Sequence, residues 1–289
     1  MEGNPVTIFE AIILGILQGL TEFLPISSSA HLRIAGEFLP GASDPGATFT
    51  AITQIGTEIA VLIYFWRDIR HILGAWFRHL WRPKTTLAAM DPEGRQAVRM
   101  GWLIIVGTIP IVIVGYTAQS AIRDVFRSLW LVATVLILFG LVLWAADYFG
   151  RRTRTLEHLT TGHGIAYGLA QTLALIPGVS RSGATISMGR ALGYTRVDAT
   201  RYAFLLAIPA VFGSGFYELR TALFDPVAAG PIDLLATFVA TLTAGVVGFV
   251  VIAWLMRYLT THSFLPFVIY RVALGTGLLI LLGTGVIEG

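Results

Sequence analysis

The chain has 289 residues, 55% of them hydrophobic and only 13% charged, with no cysteine and a formal net charge of +3. That composition, with a strongly positive mean hydropathy, belongs in a bilayer and excludes an ordinary soluble domain. The lack of cysteine excludes disulfides and thiolate metal sites, and basic residues scattered between apolar runs, not gathered on one face, exclude a nucleic-acid surface.

In chain order, an apolar arm runs from Val6 to Phe23 and a second, shorter one from Ser28 to Leu39. A cleaved signal peptide is not expected, because Met1 to Thr7 holds no Lys or Arg and Glu10, Gln18 and Glu22 interrupt the run. Six later stretches meet the roughly 20 apolar residues that a helix needs to cross the hydrocarbon core. They are Thr48 to Trp66, Arg99 to Gln119, Leu129 to Tyr148, Thr200 to Leu219, Ala236 to Met256 and Pro266 to Val286. Between the first two, Arg67 to Gln96 reads as an interfacial amphipathic segment with aromatic anchors. Arg151 to Arg154 reads as a linker between two halves. A further pair of arms, Gly164 to Ile176 and Gly183 to Leu192, opens the second half.

Each pair of arms surrounds a polar cluster. The first holds Gln18, Glu22, Pro25, Ser27, Ser28, Ser29 and His31; the second holds Pro177, Gly178, Ser180, Arg181, Ser182, Gly183 and Thr185. Polar groups buried without partners in an apolar segment cost several kcal/mol, so such clusters carry a task. Second arms of about 10 to 12 residues are too short to span, which fits re-entrant hairpins. Charge supports this: with both clusters re-entrant, the arginines of 67–99 with Lys84, those of 151–154 and 190–201, and Arg257 share one side. The other side keeps only Arg33, Arg123, Arg127 and Arg220. The positive-inside rule then puts both termini outside the cytoplasm. Each half is one hairpin and three spans, so the second half, 156–289, is inverted relative to the first, 1–155, within one membrane domain.

The expected fold is therefore an all-α polytopic membrane protein with six transmembrane helices and two re-entrant hairpins, 6–39 and 164–192, in an inverted repeat. Inverted repeats with broken helices place their site where the tips meet, near the midplane. Ser27 or Ser28, and Ser180 or Ser182, are natural N-caps, so two helix N-termini would point N–H groups at an anion, with the Arg181 fork beside them. Gln18 and Glu22 share one helix face, as do Ser28 and His31. Gln54 is placed to line the pocket. Thr185 either donates to phosphate or back-bonds to its own helix. Glu58, a further intramembrane acid, either pairs with Arg271 or contacts the site.

Together the two clusters, with Thr53-Gln54-Ile55-Gly56 and Pro266-Phe267, resemble the undecaprenyl-diphosphate phosphatase family of integral-membrane lipid pyrophosphatases linked to bacitracin resistance. The resemblance covers nearly the whole chain. It implies hydrolysis of undecaprenyl diphosphate to the monophosphate and phosphate, recycling the lipid carrier for cell-wall polymers. It also implies a bacterial inner-membrane location with the site open to the extracytoplasmic side. The expected catalytic residues are Glu22, Ser28, His31 and Arg181, and the expected substrate contacts are Gln18, Ser27, Gln54, Ser180, Ser182 and Thr185. Ser28 is taken as nucleophile and His31 as its acid or base, with water or His31 itself as alternative attackers. Glu22 would bind a divalent cation of the Mg²⁺ type or act as base. Many members carry Glu where this chain has Gln18, and most have a small or apolar residue at the position of Glu58. The partners implied are the polyprenyl lipid and the bilayer, with a homo-oligomer left open. The rival class is a transporter or flippase for a phosphorylated lipid, since inverted repeats are transporter architecture; a non-catalytic lipid binder is the bland alternative.

Overall fold

A computed structural model describes residues 6–38, 46–81, 90–117, 128–225 and 232–287. The expectations for Leu39, Lys84, Arg123, Arg127 and the two chain ends fall outside the described residues. Within them the chain is all-helical: α1 Ile8–Glu22, α2 Ser28–Phe38, α3 Gly46–Tyr64, α4 Trp66–Trp81, α5 Pro92–Thr117, α6 Leu129–Phe149, α7 Thr161–Thr172, α8 Arg181–Ala191, α9 Arg196–Phe224, α10 Leu234–Tyr258 and α11 Leu265–Gly283. Six of these, α3, α5, α6, α9, α10 and α11, are long and apolar enough to cross a membrane. They coincide with the six expected stretches. The largest differences are at the start of α5, which begins at Pro92 beside Glu93, and at the end of α9, which runs on to Phe224. Hydropathy marks the hydrocarbon region, whereas a helix continues past it wherever its polar residues can reach water.

The amphipathic linker contains α4, which carries Asp68 in its first turn and Arg78 and His79 in its last, and which ends on the exposed Trp81. It packs on α5 through Ala75 against Ala97 and Val98. Close packing elsewhere rests on small residues, as membrane interfaces require. α10 lies against both α1 and α3. A Cβ at Gly56 of α3 would overlap the Thr241 carbonyl of α10. α5 packs against α7 and α9, and α11 against α6.

Each short helix folds back beside the arm that precedes it. Leu32 of α2 clusters with Ala11 and Leu14 of α1, with Val6 and Ala35 packed against the same group. In the second pair, His163 at the start of α7 meets the Tyr194 hydroxyl just past α8 at 2.7 Å. Burial pushes the Tyr194 phenol up to about 12, so it keeps its proton in this contact. Gly193 O accepts from the N–H groups of Thr153 and Arg154 at 3.2 and 3.0 Å.

The same end is pinned by Asp147 on α6. Its carboxylate accepts from Arg190 Nε at 2.8 Å and bidentately from Arg196, both contacts at 2.8 Å or slightly more. Arg190, fully buried, also donates to the carbonyls of Gly150 and Arg151 at 2.8 and 2.9 Å and to that of Tyr194. Arg190 and Arg196, counted above only as orienting charges, therefore also clamp the end of α6 to the ends of α8 and the start of α9.

Candidate active site

α1 ends at Glu22 and α2 begins at Ser28, with Pro25 in the turn between them; α7 gives way to a short 3₁₀ turn before Pro177, and α8 begins at Arg181. Among the described residues, only two that are not glycine have positive φ: Ser27 at +75° and Ser180 at +72°. Such backbone costs about 1–3 kcal/mol and is kept where the surroundings fix it. The two serines occupy matching places. Ser180 Oγ accepts from Gly183 N at 3.1 Å, and Ser27 Oγ from Ala30 N at 3.4 Å. Ser27 Oγ lies 3.2 Å from Ser29 Oγ, and Ser180 Oγ 3.1 Å from Ser182 Oγ. Ser27 and Ser180 are thus the caps, and Ser28 and Arg181 are the first residues of the two outgoing helices. The first-turn N–H groups of a helix have no carbonyl of their own helix to bond.

The tips touch each other. Ser182 Oγ lies 3.2 Å from the carbonyl oxygens of both Glu22 and Leu24. Beneath them Arg271 of α11, fully buried, bonds only backbone carbonyls: Pro25 O and Val179 O at 3.1 Å, Gly178 O at 2.7 Å and Leu136 O at 3.1 Å. One guanidinium therefore fastens both tips to α6. A Cβ at Gly183 would stand 3.0 Å from Arg271 Nη1 and 3.1 Å from Ser180 Cβ, so glycine fits there. The expected alternative of a Glu58–Arg271 pair is not what forms, because five fixed donors of a planar fork suit the converging carbonyls of a turn better than one carboxylate.

Glu22 is the hub. Its Oε1 faces Arg181 Nη2 at 2.6 Å. Its Oε2 accepts from Ser28 Oγ at 2.6 Å, from Gln18 Nε2 at 2.8 Å and, more loosely, from Gln54 Nε2 at 3.4 Å. Gln18, Glu22, Ser28, Gln54 and Arg181, drawn from α1, α2, α3 and α8, thus form one constellation. The Arg181 side chain stays 16% exposed, and only one of its N–H groups is engaged by Glu22. Its remaining donors can take phosphate oxygens.

Two expectations change. His31 does not meet Ser28: its Nδ1 lies 2.7 Å from Ser27 O, so Nδ1 carries the proton, and in the neutral ring Nε2 accepts from Tyr270 OH at 2.7 Å. One helical turn brings side chains onto one face, but the Ser27 carbonyl, which also accepts from His31's own N–H at 3.3 Å, holds the ring. Thr185 Oγ1 donates to Arg181 O at 2.7 Å and is fully buried, so of its two readings the back-bonded one holds. Tyr270 and Arg271 were not among the expected site residues. Their nearest signal was the Pro266-Phe267 motif at the start of the same helix, together with an arginine inside an apolar run.

A divalent cation meets suitable chemistry here. Among the described residues no three His, Cys, Asp or Glu gather into a metal cage, and Mg²⁺ needs none, since one or two carboxylates plus phosphate oxygens and water suffice. Glu22 supplies a carboxylate, and Gln18 Oε1, fully buried, is an oxygen with no donor.

Curated relatives match across almost all of the chain. An undecaprenyl-diphosphatase of Micrococcus luteus is 60% identical over 282 residues, 98% of this chain and 99% of that protein. Proteins of the same name from Clavibacter michiganensis and an Arthrobacter species are 59% and 57% identical, over 96% and 97% of this chain and 98% and 96% of their own lengths. A family model described as bacitracin resistance protein BacA matches residues 11–277, which contain both tips and the spans that hold them, and the chain belongs to that family.

Proposed function

We propose that the protein hydrolyses undecaprenyl diphosphate to undecaprenyl phosphate and phosphate. The observation that carries this reading is the Ser28–Glu22–Arg181 arrangement: a hydroxyl 2.6 Å from a carboxylate that can take its proton, beside a guanidinium and two helix N-termini that can hold phosphate. The names of the relatives support the substrate.

In this mechanism Arg181 and the first-turn N–H groups of α2 and α8 bind the diphosphate. Ser28 Oγ attacks the terminal phosphorus as its proton passes to Glu22; the anhydride P–O bond breaks and undecaprenyl phosphate leaves with the bridging oxygen. Glu22 passes that proton to the departing undecaprenyl phosphate; water then attacks the phosphoserine phosphorus as Glu22 takes its proton, the P–Oγ bond breaks, and the proton returns to Ser28 Oγ as free phosphate leaves. Arg181 offsets the charge that moves onto the transferred phosphoryl oxygens. Glu22 and Gln18 Oε1 would hold the cation, which supplies further charge neutralisation when bound. His31 acts as a positioning residue, fixing the Ser27 carbonyl at the strained turn and tying α2 to Tyr270 of α11.

The α1–α2 and α7–α8 pairs are read as re-entrant hairpins entering from opposite faces, in halves related by inversion. The packing supports this: α1 on α10 corresponds to α7 on α5, and α3 on α10 to α9 on α5. The matched strained serines align the halves with Ser27 opposite Ser180, which absorbs the one-residue difference in their spacing from Pro25 and Pro177. The bacterial relatives support an inner-membrane location and, with the resemblance, a site open to the extracytoplasmic side, and the charge bias supports a cytoplasmic Asp147–Arg190 end. Purified protein in detergent is expected to release orthophosphate from undecaprenyl diphosphate. Detergent leaves no compartment to transport across, so lipid bound and recovered intact would overturn hydrolysis and leave transport or lipid binding without chemistry.

A further inference from the structure

One buried acid has no part in this mechanism. Glu58 on α3 is 3% exposed. It stands one turn beyond Gln54 on the same helix face, and Gln54 is the residue of α3 that reaches Glu22. The charges that act on Glu58 are those of Arg181 and Glu22. Its Oε1 meets no donor.

The nearby cations do not answer it. Arg181 is aligned with Glu22 at 2.6 Å, and Arg271 is engaged by four carbonyls of the tips and α6. Arg181 is thus already answered by Glu22, and a carboxylate withdrawn from water without a partner costs several kcal/mol. The Gln18 amide shows a second vacancy of the same kind. Its Nε2 is on Glu22 at 2.8 Å, while its Oε1, fully buried, has no donor. Two buried oxygens without donors, Gln18 Oε1 and Glu58 Oε1, therefore stand on the two helices, α1 and α3, whose Gln18 and Gln54 amides reach Glu22. All the ligand atoms offered are oxygen, which suits a hard divalent cation and not a transition metal that favours nitrogen or sulfur.

We infer that Glu58 is the second carboxylate of the site, and that Glu58, Gln18 Oε1 and Glu22 together hold a divalent cation of the Mg²⁺ class. The inference rests on the cation-assisted form of the function proposed above, but its test reads binding and not turnover. Metal-stripped, lipid-free protein in detergent is titrated with Mn²⁺, and free Mn²⁺ is followed by its paramagnetic resonance signal. Wild type is expected to bind Mn²⁺ in competition with Mg²⁺, and Glu58→Gln to bind at least about tenfold more weakly. Gln18→Glu combined with Glu58→Gln, which moves the second carboxylate from α3 back to α1, is expected to recover binding. The metal-free melting temperature of Glu58→Gln should equal or exceed that of wild type, because the substitution removes an unpartnered acid. Mn²⁺ binding by a folded Glu58→Gln variant at wild-type affinity, or no binding by wild type, overturns the inference. Either result leaves phosphate release as the separate test of hydrolysis.

Discussion

Arg181→Lys is expected to lower kcat on undecaprenyl diphosphate by about 100-fold or more in a protein that still folds. The guanidinium sits at the N-terminus of α8 with one Nη2 donor committed to Glu22 at 2.6 Å and the rest of its fork not engaged by that carboxylate. A lysine ammonium keeps the charge but has a single nitrogen, which must choose between Glu22 and the phosphate. The loss should therefore fall on the chemical step more than on lipid binding. Orthophosphate release under saturating lipid, with a melting curve as the check on folding, measures it. A lysine variant turning over near the wild-type rate would reduce Arg181 to a structural partner of Glu22.

Ser28→Ala is expected to lose turnover by about 1000-fold while still binding the lipid. Ser28 is the first residue of α2, and its hydroxyl already bonds Glu22 Oε2 at 2.6 Å. Neighbouring hydroxyls are committed otherwise: Ser27 caps the helix, and Ser182 lies against the carbonyls of Glu22 and Leu24. Acid quenching of wild type during turnover, followed by mass analysis, is expected to find phosphate on Ser28. Hydrolysis by Ser28→Ala near the wild-type rate would assign the attack to water with Glu22 as its base.

Much of this was legible in the sequence because it depends on local pattern. Long apolar runs located the six spanning helices, and two prolines followed by serines located the breaks. The convergence of Glu22 with Arg181 was accessible because an acid and a base in apolar surroundings seek each other. What spacing could not supply were contacts fixed only when the helices pack. The His31–Tyr270 bond joins residues far apart in the chain, and proximity on one helix face suggested Ser28 in its place. Arg271 invited a carboxylate partner because backbone carbonyls leave no mark in a sequence; only the meeting of both tips reveals three acceptors converging on it. The likeness of the two tips was similarly hidden, since Ser27 and Ser180 share the same strained backbone but differ by one residue in their spacing from Pro25 and Pro177.

Glu22 joins both tips, holds Arg181 and accepts from Ser28, so replacing its charge while keeping its shape tests the whole arrangement. The measurement is the single-turnover rate of phosphate release from undecaprenyl diphosphate by purified Glu22→Gln beside wild type, with lipid binding measured on the same samples. Wild type should release phosphate, and Glu22→Gln should bind the lipid yet release phosphate about 100- to 10,000-fold more slowly, the range expected for loss of a general base. Equal rates in the two proteins would contradict a hydrolytic site built where the tips meet at Glu22.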